Sequence, residues 1–173
     1  MKKTFTTLDV LNIIAFNNKL TEEKNNAMGI KVRWALKKAV GCMEKDAADF
    51  EEFRDTEIRK IQAEFFNEEK SKEVVKPKLD ANGKEVLDED GNQITETVRQ
   101  IKDEYIDAYQ VAISSLNANL EEITKEKHEY EYKGVDIDAL VESLPNDTAL
   151  TFEDLNMLDI ILGEWGEEVW RKR

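Results

Sequence analysis

The chain has 173 residues, of which 40% are hydrophobic and 36% charged, and its formal charge is −13. That is enough for one ordinary domain, or one domain with an appendage, and apolar residues recur along the whole length, which excludes wholesale disorder. No apolar run is long enough to span a bilayer, no basic stripe suits nucleic acid, and Cys42, the single cysteine, excludes an internal disulfide.

The start, Met1-Lys2-Lys3, is followed by an apolar run that Asp9, Asn12, Asn17 and Asn18 interrupt, so no secretory signal is expected. Thr7 is positioned to cap a short helix over 5–20 with Leu8, Leu11, Ile14 and Ala15 on one face, and Phe5 as a staple. After a polar connection, a long helix is predicted over 27–69. Its stripe runs Val32, Leu36, Val40, Met43, Ala47, Phe50, Ile61 and Phe65, in steps of mostly three and four. Gly41 lies beside Val40, where a small residue would admit a close neighbour.

Residues 74–97 change character. Leu79-Asp-Ala-Asn-Gly-Lys-Glu-Val86 is followed at once by Leu87-Asp-Glu-Asp-Gly-Asn-Gln-Ile94, an imperfect eight-residue repeat. Asn82-Gly83 and Asp90-Gly91 signal turns between strand formers, so this segment reads as a β-hairpin or flap. A second long helix is predicted over 98–130, with the stripe Val98, Ile101, Tyr105, Tyr109, Ala112, Leu116, Leu120 and Ile123. Glu129 to Tyr132 alternates like a brief strand. A helical segment over 136–171 follows, stopped at Pro145 and restarted by the capping-box-like Thr151-Phe-Glu-Asp154.

Neither stripe can be hidden by its own helix. The expected fold is therefore mostly α within a single domain, 1–173: a long antiparallel helical hairpin, coiled-coil-like, with the β-hairpin insert at its tip and short packing helices at both ends.

No constellation of residues performs chemistry. Asp88, Asp90 and Asn92 have the first three spacings of a calcium loop, but Gln93 stands where the loop needs glycine and Arg99 where it needs a bidentate Glu. His128 is the only histidine and is expected on a helix surface, with neither a second His nor a Cys nearby to build a zinc site. Cys42 is expected to be packed or half-buried. Paired acids such as Glu51-Glu52 are too abundant to mark a site, and interleaved lysines and arginines favour ordinary helix-surface pairs over an acidic mimic of nucleic acid. No catalytic residue, metal ligand or cofactor is assigned. Trp34 lies off the main stripe, where packing on the N-terminal helix would shield it. As candidate interface residues we take Trp34, Trp165, Val169, Trp170, Val86 and Ile94, because aromatic anchors dominate interfaces.

The order of features resembles a group of small acidic helical proteins of tailed bacteriophages and prophages. The matching pieces are Leu8-Asp-Val-Leu11, Phe50-Glu-Glu-Phe-Arg54, Asp88-Glu-Asp-Gly-Asn92 and the Leu-rich stretch Leu155 to Leu162. A longer insert and the segment Trp165 to Arg173 depart from that pattern. The resemblance implies a phage origin and a non-enzymatic structural or virion-assembly role through protein–protein contacts. Other phage structural proteins, or a second copy, would be the partners, in the virion or the host cytoplasm. The alternative expectation is a soluble phage protein that binds a host or phage client in the infected cell, as a folding helper or as an acidic inhibitor of a host enzyme.

Overall fold

In the computed structural model, residues 1–88, 90–145 and 147–163 are described. The elements in order are β1 (Lys2–Thr6), α1 (Thr7–Lys19), α2 (Glu22–Ala27), α3 (Gly29–Phe65), β2 (Ser71–Pro77), β3 (Thr95–Ile101), α4 (Asp103–Thr124), β4 (Lys127–Glu131), α5 (Ile137–Ser143) and α6 (Phe152–Leu162). The protein is mostly helical, but the long helical hairpin is not found: six helices combine with two small antiparallel sheets among the described residues. Two compact units form, one from Met1–Glu52 with the chain from Glu121 on, the other from Phe53–Leu120.

The first unit accounts for the stripe of α3. Val32, Leu36, Val40, Met43 and Ala47 are buried, as their spacing requires, but short elements cover them. Val10 and Ile13 of α1, Tyr130 of β4 with Tyr132, Ile137 and Leu140 of α5, and Leu158, Ile161 and Leu162 of α6 share their cluster. Burying each large aliphatic side chain contributes roughly 1.5–3 kcal/mol. Gly29, at φ 71°, takes the left-handed conformation that separates α2 from α3, so the long helix runs unbroken from Gly29 to Phe65 within the predicted 27–69, and the polar connection before it contains a short helix of its own. A side chain added at Gly41 would meet nothing within 4 Å, so no close neighbour uses that position.

The cap of α1 is Thr6 rather than Thr7, in a capping box with Asp9. The buried face is correspondingly Thr7, Val10 and Ile13, while Leu8 is exposed. The strand that precedes the helix sets this rotation: β1 pairs antiparallel with β4, Lys2 opposite Glu131 through Thr6 opposite Lys127. Main-chain bonds extend the ladder at both ends, from Thr7 N–H to the Glu126 carbonyl (2.9 Å) and from Tyr132 N–H to the Met1 carbonyl (3.1 Å).

In the second unit the predicted helix over 98–130 is shortened at both ends. Val98 and Ile101 stand three apart and read as helical, but they lie in β3, which pairs with β2: Val74 opposite Val98, Val75 opposite Thr97. β-branched residues facing across an antiparallel pair suit that geometry better than a helix. Of the remaining stripe only Leu116 is buried in α4, so that helix lacks the continuous seam a coiled coil needs. Tyr109 packs edge-on against Phe65 and Phe66, with ring centroids 5.5 and 5.9 Å away.

The eight-residue repeat folds as two matching turns. Asp80 Oδ1 accepts from the N–H of Asn82 (2.8 Å) and Lys84 (2.9 Å), and Asp88 Oδ1 from those of Asp90 (3.0 Å) and Asn92 (2.8 Å). Gly83 and Gly91 follow at φ 77° and 82°, the conformation both turns require. Lys78, Val86 and Ile94, each eight residues from the next, close a ring of main-chain bonds. Lys78 N–H donates to the Ile94 carbonyl (2.8 Å), Val86 N–H to that of Lys78 (2.9 Å) and Ile94 N–H to that of Val86 (2.9 Å). The repeat is therefore built into a node of main-chain hydrogen bonds. The Asp88 carboxylate is used internally, and the N–H groups it accepts, that of Asn92 foremost, hold its pKa below the usual carboxylate range.

Helix α6 starts with a capping box in which the Asp154 carboxylate accepts from the Thr151 N–H and hydroxyl, both at 2.8 Å. Lys24 of α2 reaches the same carboxylate at 2.8 Å. Burial works to raise the Asp154 pKa, but the hydrogen bonds from Lys24 and Thr151 outweigh it and hold it below the usual value. A carboxyl whose folded pKa is depressed stabilises the fold above its unfolded pKa of about 3.9, and that contribution is lost as pH falls through the folded value. Asp154→Asn is expected to cost about 1–2 kcal/mol at neutral pH, and the difference from the parent should shrink as pH drops below about 4. Urea titrations at several pH values check this; a difference that does not change with pH contradicts it.

Candidate interaction groove and a buried polar relay

Two constellations in the first unit bring functional side chains together. One is a polar relay. Thr7 Oγ1 and His128 Nε2 share a hydrogen bond of 2.9 Å, His128 Nδ1 lies 3.8 Å from Asp46 Oδ2, and the Tyr130 hydroxyl donates to that same oxygen at 2.5 Å. His128 is thus on strand β4 and not on a helix surface; the β1–β4 register places it opposite Phe5, beside the start of α1.

Hydroxyl, imidazole and carboxylate in this order have the connectivity of a nucleophilic triad. Two observations oppose that use. The Thr7 side chain sits at the first turn of α1 and the residue is only 3% exposed, so a substrate has no approach to its oxygen. The 3.8 Å imidazole–carboxylate separation exceeds hydrogen-bond length. The relay instead ties α1, α3 and β4 together, and burial, with Asp46 as the next cause, raises the Tyr130 pKa far above that of a free tyrosine.

The second constellation is an open groove of about 1200 Å³ between the first turns of α3 and the stretch from the end of β4 into α5. Its floor includes Val32, Ala35, Tyr132 and Leu140, and its rim carries Trp34 and Ile30. Trp34 is 59% exposed and Ile30 75%, so Trp34 does not pack on the N-terminal helix. The reason is its position on α3: Ala35 and Leu36 take the buried places beside it, and Trp34 turns outward, with the Lys38 ammonium 4.8 Å from its ring centroid. Cys42 also lines the groove and is exposed rather than packed.

Of the other candidate interface residues, Val86 and Ile94 lie in the second unit, where they are half-buried and their main chains belong to the hydrogen-bonded ring. Exposed apolar side chains of the β2–β3 segment are Val75, Leu79 and Leu87, the latter two at the first place of each repeat. The repeat could have pointed to them, since a position that recurs outside the turn has to face somewhere. Trp165, Val169 and Trp170 lie outside the described residues. Among the described residues no group of three or more His, Cys, Asp or Glu is placed to hold a metal ion, and no helix is long and apolar enough to cross a membrane. No family model, curated protein or solved structure matches the chain.

The relay carries its own prediction. Tyr130→Phe leaves a carboxylate that is one-third exposed and can take a water instead, so the cost is about 1 kcal/mol, a melting-temperature drop of a few degrees. His128→Ala removes the partner of a buried hydroxyl and should cost about 1–3 kcal/mol. Thermal and denaturant unfolding of the two variants give the ranking; the reverse order would show that the relay is not held through Thr7.

Proposed function

We propose that the protein is a non-enzymatic bacteriophage structural or virion-assembly protein that works through protein–protein contacts. The observation that carries the contact role is the exposed pair Trp34 and Ile30 beside an open apolar groove. Contiguous exposed apolar surface of this kind marks interaction sites in folded proteins, and tryptophan is the residue most enriched among binding hot spots. The phage assignment rests on the resemblance of Leu8 to Leu11, Phe50 to Arg54, Asp88 to Asn92 and Leu155 to Leu162 to that protein group. The partners would be other phage structural proteins or a second copy, in the virion or in the host cytoplasm.

Mass spectrometry of purified virions from the encoding phage, with and without the gene, tests the role. The expected result is a peptide signal from particles, or an assembly defect on deletion. Absence from particles together with normal assembly contradicts this reading and would favour the client-binding one, a phage protein that engages a host or phage target in the infected cell.

A further inference from the structure

The groove is locally basic in an acidic chain. Between Glu23 and Glu44 the sequence holds Lys24, Lys31, Arg33, Lys37 and Lys38 and no acid, in a protein of net charge −13. Lys24 is engaged with Asp154, and Arg33 reaches the Asn26 side chain at 3.4 Å. Lys31, Lys38 and Lys133 line the groove and have no acidic partner among the described residues.

Two acids also line it, Asp136 and Glu131. Asp136 caps α5 by accepting the Ala139 N–H at 3.0 Å, and Glu131, at the groove's β4 end, stands opposite Lys2 in the β1–β4 register. What the groove offers to solvent is therefore an apolar floor, an exposed indole and isoleucine, and three ammonium groups without an acidic partner among the described residues, against the exposed carboxylate of Glu131.

We propose that this groove binds a short segment of another protein that carries an aromatic or large aliphatic anchor flanked by carboxylates. The inference deepens the contact reading and rests on it. The anchor replaces water over Trp34, Ile30 and the floor, where burial of apolar area drives association. The flanking carboxylates meet Lys31, Lys38 and Lys133, which sets orientation and speeds encounter. The chain's own acidity adds selectivity: an acidic partner is repelled by the net negative charge of the protein as a whole and attracted at this locally basic groove.

The test uses the full chain and a fluorescein-labelled synthetic peptide, Asp-Glu-Trp-Leu-Glu-Asp-Leu-Glu, read by fluorescence anisotropy. The expected result is saturable binding that weakens as salt is raised toward about 0.5 M, because exposed charges are screened. A matched peptide with lysines in place of the acids should not bind. Trp34→Ser, and Lys31→Glu with Lys38→Glu, should each weaken binding about tenfold or more, whereas Phe53→Ser in the second unit should leave it unchanged. These substitutions are at exposed positions, and circular dichroism confirms that the variants are folded.

No binding at millimolar peptide, or binding indifferent to Trp34 and the lysines, overturns the inference. So does binding that appears only after residues 164–173 are deleted, which would assign the groove to the same chain. Concentration-dependent self-association abolished by Trp34→Ser also overturns it, assigning the groove to a second copy. Particles that contain the protein while the full chain binds no peptide would remove the groove assignment and leave the contact reading standing.

Discussion

The first unit depends on how the C-terminal end of α6 is satisfied. The last four carbonyls of an α-helix have no partner within the helix, and this helix ends among residues that are fully buried, Ile161 and Leu162. Each carbonyl finds a donor. That of Asp159 accepts from Gly163 N–H (2.8 Å), that of Ile160 from the Lys3 ammonium (2.9 Å), that of Ile161 from the Tyr132 hydroxyl (2.7 Å) and that of Leu162 from Val135 N–H (2.9 Å). Three of the four donors come from distant segments: β1, the end of β4 and the link to α5. The last turn of α6 has no basic residue of its own, so Lys3 supplies the cation that a helix C-terminus favours. Burial, the leading cause, lowers the Lys3 pKa, with Asp159 opposing it.

This arrangement explains why β1 and β4 must pair. A two-stranded ribbon is marginal by itself in water. Here its outward ends deliver Lys3 and Tyr132 to α6, and its inner side presents Phe5, Tyr130 and Tyr132 to the core under α3. The same arrangement shapes the groove. Tyr132 forms part of the floor while its hydroxyl holds α6, and Val135 lines the groove while its main chain pairs with Gly163 in a parallel bridge. The groove wall is therefore fixed by backbone and side-chain bonds to the buried C-terminal turn of α6. A pre-organised wall lowers the entropic cost of binding a segment there.

Periodicity revealed which face of α3 is buried but not what buries it. Val32 to Ala47 were legible as a stripe, yet a second helical stripe over 98–123 was the wrong partner. Val98 and Ile101 satisfy a three-residue step and a β-pair equally well, and only the partner Val74 decides between them. The turns of the octad repeat were legible, since Asp and Gly at fixed places have a local mechanism. The ring at Lys78, Val86 and Ile94 was not, because it uses main-chain groups that every residue has. At the candidate site, Trp34 was legible as lying off the stripe, and its exposure followed from the neighbours Ala35 and Leu36 filling the core. The relay around His128 and the long-range capping of α6 join residues from 27 to 157 positions apart, and no local pattern marks such pairs.

Long-range donors to the end of α6 hold the first unit together. Hydrogen exchange resolved by residue, on a chain carrying both Lys3→Met and Tyr132→Phe, tests it most directly. These changes keep most of each side chain's bulk and remove only the donors. The expected result is a loss of roughly 2–5 kcal/mol, with faster exchange at the amides of Leu158, Ile161 and Leu162 and at the β1–β4 ladder, while Val74 and Val98 in the second unit keep their protection. Unchanged protection across α6 and the ladder in that double variant would contradict it.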